Sequence, residues 1–223
     1  MIDGHPNTPR RYRAGVAYDG TRYAGFQRQA GGTPTIQGEL EQTIGRVSQQ
    51  SVTVLGAGRT DSGVHATGQV IAFDVTWKHT TGELWRAINA NLPQDIALQS
   101  LDVADADFHP RYDAASRTYE YTLLVAPVRQ PLLNKIAWHV PTADPLDVAF
   151  MQQAANHLIG PHDFATFGQP LRRESTVREV IRAEFAAGAG QRPGIELIRF
   201  TIEGNAFLYR MVRRIVGALV RVG

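Results

Sequence analysis

The chain has 223 residues, 43% of them hydrophobic and 20% charged, which suits a globular protein with a substantial buried core rather than a disordered or fibrous one. Its formal net charge of +2 excludes a tail-like polycation, and no apolar run nears the roughly 18 residues of a membrane span. The absence of cysteine excludes a disulfide framework, a thiol nucleophile and Cys-ligated zinc, and "MIDGHPNTPRRYR" has no apolar signal segment, so a cytoplasmic protein is expected. Of the 23 basic residues only Lys78 and Lys135 are lysine. Arginine binds phosphate bidentately and stacks on bases, although genomic base composition also favours its codons.

In chain order, "RYRAGVAYDG" alternates as a strand ending in the Asp19-Gly20 turn. A polar, aromatic connection, "TRYAGFQRQAGGTP", leads to a helix entered at Thr33-Pro34, with Ile36, Leu40, Ile44 and Val47 at helical spacing. "SVTVLGA" and "GQVIAFDV" read as strands, "GELWRAINANL" as a helix stopped by Pro93, and "DIALQSLDVA" as a strand. The second half repeats the order: strand "RTYEYTLLV", helix "PLDVAFMQQAANHLIGP" with Leu146, Phe150, Ala154 and Leu158 on one side, strands "VREVIRAEFA" and "GIELIRFTIEG", and a helix from Leu208. The expectation is an α+β protein of two similar split-βαβ halves with antiparallel sheets, residues 1–106 and 107–223. Ligands favour interfaces between such halves, so a central cleft is expected to hold the site.

The stretch "GAGRTDSGVHATGQV" sets Asp61 in a glycine-punctuated turn between two strands, after Arg59 and before His65. From spacing alone Asp61 reads as a turn residue bonding its own backbone. The flanking Gly58 and Gly63 also suit close approach of a large ligand, which leaves a functional reading open.

"GRTDSGVHATGQV" closely resembles the catalytic motif of the tRNA pseudouridine synthase A family. "YDGTRYAGFQRQ", "INANLPQDI", "DFHPRYDAASRTYEY", "GPHDFATF" and "NAFLYRMVRRIVGALVRVG" are similar to further family blocks, in family order, so the resemblance covers nearly the whole chain. It implies isomerisation of uridine to pseudouridine in the anticodon stem-loop of tRNA, at positions 38, 39 and 40, with no cofactor or metal. The family's catalytic aspartate falls on Asp61, able to attack C1′ or to take a ribose proton. Its active-site tyrosine falls on Tyr119, which by strand alternation alone reads as a core aromatic beside Tyr121, Leu123 and Val125.

Taking Leu208 to Val222 as a helix, Arg210, Arg214 and Arg221 share a stripe opposite the apolar side, and Arg213 lies at its border, where a guanidinium can reach a half-buried carboxylate. The resemblance makes Arg213 the partner of Asp61. Arg59, beside the catalytic turn, is expected to hold a phosphate or help extrude the base; Arg22 and Arg28 of "TRYAGFQRQ" suit gripping the RNA backbone, and Arg210, Arg214 and Arg221 read equally as phosphate contacts or as a solvated basic face. Two departures stand out. Phe26 takes a place where the family often has tryptophan, and the chain stops at Gly223, where family members usually continue through a further helix and strand. A fragment is one reading, which puts the homodimer expected from the family in question. The rival classes are a non-catalytic RNA-binding module, opposed by intact Asp61, Tyr119 and Arg213, and a metal-dependent phosphohydrolase, for which the sequence offers no ligand spacing.

Overall fold

The computed structural model describes residues 8–169, 175–189 and 194–223. The chain forms two compact units, Met1–Ala114 and Ala115–Gly223. The first contains β1 (Arg10–Tyr18), a 3-10 turn (Gly20–Arg22), α1 (Ile36–Ser48), β2 (Leu55–Gly56), β3 (Ala66–Val75), α2 (Thr81–Asn91) and β4 (Ile96–Val103). Its sheet runs β2-β3-β1-β4 and is antiparallel throughout. Strand β3 thus lies between β1 and β2, and β1 between β3 and β4, the interleaving of two split βαβ crossovers.

Alternation in β1 buries Tyr12, Ala14, Val16 and Tyr18 on one face, where they meet Ile71, Phe73 and Val75 of β3 and Ile96, Leu98 and Leu101 of β4. The three-residue step from Leu98 to Leu101 follows from a register shift opposite Gly15 and Val16. Ile36, Leu40 and Ile44 of α1 and Leu84 and Ile88 of α2 complete this core. Helix α1 begins two residues later than the Thr33-Pro34 entry, because Thr35 is the cap whose hydroxyl accepts from the Gly38 N–H at 3.2 Å. A reciprocal Thr80–Glu83 capping box starts α2. Strand β2 is far shorter than "SVTVLGA": the Val54 N–H donates to the Glu41 carboxylate at 3.0 Å instead of to a neighbouring strand.

The second unit contains β5 (Arg117–Val125), β6 (Trp138–Val140), α3 (Val148–Asn156), β7 (Gly160–Asp163), β8 (Val177–Ala189), β9 (Glu196–Gly204) and α4 (Met211–Val222). The sheet order is β6-β5-β9-β8-β7. Here too a split βαβ is present, since β9 lies antiparallel between β5 and β8. Two short strands were not expected. Strand β6 pairs parallel to β5 over Leu123–Val125, so this sheet is mixed rather than purely antiparallel, and β7 adds an edge that tolerates Pro161.

Helix α3 buries Met151 and Ala155; of the expected stripe, Leu146, Ala154 and Leu158 pack partly buried against the same core, whereas Phe150 is 53% exposed. Asp147 caps this helix by accepting from the Phe150 N–H at 2.8 Å, so the helix starts late and Val148, Met151 and Ala155 form the inward stripe. Helix α4 buries Met211, Ile215, Val216 and Leu219, each worth about 1.5–3 kcal/mol of gross burial energy. Of the loop read at "AGAGQRPG", residues 187–189 instead extend β8, and residues 190–193 lie outside the described residues. Among the described residues no helix is long and apolar enough to cross a membrane.

Candidate active site

In the first unit the stretch from Ala57 to His65 links β2 to β3. Its base continues the sheet: the Ala57 N–H donates to Val70 O at 2.9 Å, and Gln69 Nε2 to Gly58 O at 2.8 Å. Its tip closes as a turn, with the Val64 N–H donating to Asp61 O at 3.2 Å and Gly63 at φ 77°. Asp61 is half-buried and Arg59 exposed. Asp61 does occupy a turn, as spacing alone suggested, but its carboxylate makes no hydrogen bond or ion pair among the described residues. A purely structural turn aspartate would bond the backbone through that group.

What holds the turn is the segment after β1. Tyr18 Oη and Thr60 Oγ1 share a hydrogen bond of 2.8 Å, and the Phe26 N–H donates to Thr60 O at 3.0 Å. On the other side of Asp61, Ser62 Oγ donates to Tyr23 O at 3.2 Å and the Gly63 N–H to the same carbonyl at 3.4 Å. Farther along, the Gly20 N–H donates to His65 Nδ1 at 3.2 Å. The two stretches touch so closely that glycine is required: a Cβ on Gly20 would lie 2.0 Å from Val64 O, and one on Gly25, at φ 107°, 2.7 Å from Thr60 O. The glycines of "YDGTRYAGF" are therefore explained by the Asp61 turn that they cradle.

Asp95 stabilises this cradle. Its Oδ1 accepts from Tyr23 Oη at 2.7 Å, its Oδ2 from Arg22 Nε at 2.8 Å, and its backbone carbonyl from the Asp19 N–H at 2.9 Å. Burial pushes the Asp95 carboxyl up, but the bonds from Tyr23 and Arg22 outweigh it and hold the group below the usual carboxylate range. Burial, with the charged Asp95 beside it, pushes the Tyr23 phenol well above its ordinary value. Arg28 is likewise engaged, with Nη1 2.8 Å from the buried Glu41 Oε2 in a contact too poorly aligned for a hydrogen bond. The two arginines expected on RNA from this segment thus each face a carboxylate of their own unit, yet their side chains remain 72% and 66% exposed. Phe26 is 3% exposed and packs against Gly56, where a Cβ would lie 2.5 Å from its ring. Its role here is packing, not stacking on a base.

In the second unit, Tyr119 lies on the same face of β5 as Tyr121, Leu123 and Val125, with burial increasing along the strand and Tyr119 at its more open end. Its ring meets Phe207 edge-on, centroids 5.0 Å apart. Phe207 belongs to the connection into α4, which is fixed by Arg117 Nη1 donating to Asn205 O at 2.7 Å and by Glu179 N donating to Asn205 Oδ1 at 3.1 Å. The expected helix from Leu208 begins at Met211 instead. Arg210 is its N-cap, in a left-handed conformation at φ 59° and without a side-chain cap, so it does not share a helical stripe with Arg214 and Arg221. Its guanidinium lies over the exposed Tyr209 ring, 4.9 Å from the centroid. Arg213, Arg214 and Arg221 are all exposed, so the border position of Arg213 is not marked by greater burial. Among the described residues none of these three makes an ion pair, and no cluster of His, Asp or Glu is placed to hold a metal ion.

A family model described as tRNA pseudouridine synthase matches residues 14–113 and 154–223. A tRNA pseudouridine synthase A of Neisseria gonorrhoeae is 43% identical over 215 residues, covering 96% of this chain and 78% of the relative. The chain belongs to the tRNA pseudouridine synthase family. Two further relatives of the same name, from Streptococcus equi subsp. equi and Pseudothermotoga lettingae, are each 41% identical, over 96% of this chain and 84% of their own lengths. Arg22, Arg28, Arg59 and Asp61 fall in the first matched segment of this synthase family and Arg210, Arg213 and Arg214 in the second, while Tyr119 lies between them. Sequence reading did not single out Tyr18, Tyr23 or Asp95. The signal for Tyr23 and Asp95 was a buried pair 72 residues apart, which no local pattern reveals.

Proposed function

We propose that this synthase isomerises uridine to pseudouridine in the anticodon stem-loop of tRNA, at positions 38, 39 and 40. The N1–C1′ glycosidic bond breaks, the uracil turns while held, and a C5–C1′ bond forms; the proton lost from C5 is balanced by one taken up at N1, so the nucleotide gains and loses no atom overall. Asp61 is the carboxylate that acts at the sugar, by attack on C1′ or by taking a ribose proton. Tyr119 stacks on the extruded uracil and assists removal of the C5 proton, and Arg213 supports the charge of Asp61. Arg59 contacts a phosphate or helps extrude the base, and Arg210 and Arg214 bind the RNA backbone. Arg22 and Arg28 offer their exposed edges to the same backbone, held by Asp95 and Glu41.

The reaction transfers no electrons or phosphoryl groups, so no cofactor or metal is assigned. A cytoplasmic homodimer is the form in which the protein is proposed to work. The observation that carries the reading is the Asp61 carboxylate, without a partner among the described residues, in a turn held by residues 18–26, within a segment that matches the family. Incubation with an unmodified tRNA transcript, followed by mapping of modified positions, is expected to give pseudouridine at positions 38 to 40. Pseudouridine elsewhere, or none, contradicts the reading.

A further inference from the structure

Among the described residues the Asp61 carboxylate makes no hydrogen bond or ion pair, so the direction in which that group points depends on the residues flanking it. Both flanks are held, and on one of them the link is a pair of side-chain hydroxyls. Tyr18, the last residue of β1, is 4% exposed, with its ring beside Phe26 at 6.4 Å between centroids. Phenylalanine would fill the same apolar space. The hydroxyl therefore needs a separate reason, because a buried O–H without a partner is costly. It lies 2.8 Å from Thr60 Oγ1, on the residue immediately before Asp61.

Thr60 is also held through its main chain, since its carbonyl accepts from the Phe26 N–H at 3.0 Å. With Thr60 fixed at both carbonyl and side chain, and Ser62 fixed to Tyr23, little rotation of the Asp61 backbone remains. We propose that Tyr18 is a positioning residue for the isomerisation, holding the Asp61 carboxylate in its reactive direction through the Thr60 hydroxyl. This inference rests on the reading of Asp61 as the reacting carboxylate. The expected gain lies in the chemical step, because a misplaced reacting group lowers the rate without altering phosphate contacts that bind the tRNA.

The test is single-turnover rate at saturating unmodified tRNA, tRNA affinity and thermal unfolding for Tyr18→Phe, Thr60→Val, Thr60→Ser and the Tyr18→Phe/Thr60→Val double variant. Tyr18→Phe and Thr60→Val are each expected to slow the chemical step about tenfold or more. Affinity should stay within about twofold of wild type, which separates positioning from binding. The double variant should be no slower than Thr60→Val alone, since both changes remove one link. Thr60→Ser, which keeps the hydroxyl, should retain most of the rate.

A Tyr18→Phe variant that turns over at the wild-type rate overturns the proposal, even if its unfolding temperature falls, and so do losses that multiply in the double variant. Asp61→Asn measured alongside distinguishes the two levels of the argument. If Asp61→Asn is inactive while Tyr18→Phe is unaffected, only the positioning role fails. If Asp61→Asn turns over, the Asp61 reading fails and the positioning role with it.

Discussion

The two units share a split βαβ winding but treat their functional side chains in opposite ways. In the first, Asp61 sits in a turn linked to residues 18–26 by hydrogen bonds on both sides, and Asp95 secures those residues in turn. In the second, Arg213, Arg214 and Arg221 project from α4 with no ion pair among the described residues. On the proposed roles, the difference follows from what each group does. A reacting carboxylate gains from being fixed before substrate arrives, whereas a cation meant for a phosphate, as proposed for Arg214, is best left without an internal partner. Arg22 and Arg28 are the informative middle case, exposed yet already facing carboxylates.

The largest expected effect on this contrast is at α4. Arg213→Ala should slow the single-turnover step by about a hundredfold with tRNA affinity nearly kept, and Arg213→Lys should recover little, since an ammonium cannot reproduce the guanidinium fork. Arg210→Ala and Arg214→Ala should instead weaken binding and lower the magnitude of the salt slope by about one, with the rate at saturation intact. Arg22→Ala should change the salt slope less than either, because Asp95 already offsets its charge. If Arg213→Ala behaves as Arg214→Ala does, Arg213 belongs with the binding arginines.

A smaller effect compares glycines in the two units. Gly20→Ala forces a Cβ against Val64 O and should cost about 1–3 kcal/mol in denaturant unfolding, together with a loss of turnover. Gly217→Ala, inside α4 with nothing within 4 Å of the new methyl, should stabilise by about 0.5–1 kcal/mol and leave turnover unchanged. Equal effects at the two positions would remove the argument for a cradled turn.

The smallest effect is in pH. Asp95 titrates below its unfolded value of about 3.9, so the stability it contributes is present in full above that pH and is lost as pH falls through the lower folded value. Asp95→Asn should flatten the acid limb of the stability profile of the wild-type protein. An unchanged acid limb would show that the Tyr23 and Arg22 contacts do not hold the carboxylate charged.

The long strands β1, β3, β5, β8 and β9 were legible because each runs over nine or more residues rich in β-branched, aromatic and apolar side chains. Strands β6 and β7 were not, since three and four residues give no period to read. Helix α3 shows a different limit: Leu146, Ala154 and Leu158 pack on the core as the spacing suggests, but Met151 and Ala155 are the buried centre of the stripe and Phe150 is exposed. For the site, residue chemistry alone left Asp61 as a turn residue, and family resemblance supplied its catalytic reading. The contacts that hold the turn come from partners 42 and 39 residues away, at Tyr18 and Tyr23, whose hydroxyl and carbonyl roles leave no mark in local sequence. Arg210 was placed on the helix because a left-handed backbone at a non-glycine residue has no sequence signature.

The most direct test of the account is pseudouridine formation in an unmodified anticodon stem-loop by wild-type protein and by Asp61→Asn, each at RNA concentrations that saturate binding. The account predicts modification at positions 38 to 40 by the wild type, with a loss on the order of a thousandfold or more in the variant and affinity little changed. Comparable single-turnover rates for the two proteins would contradict it.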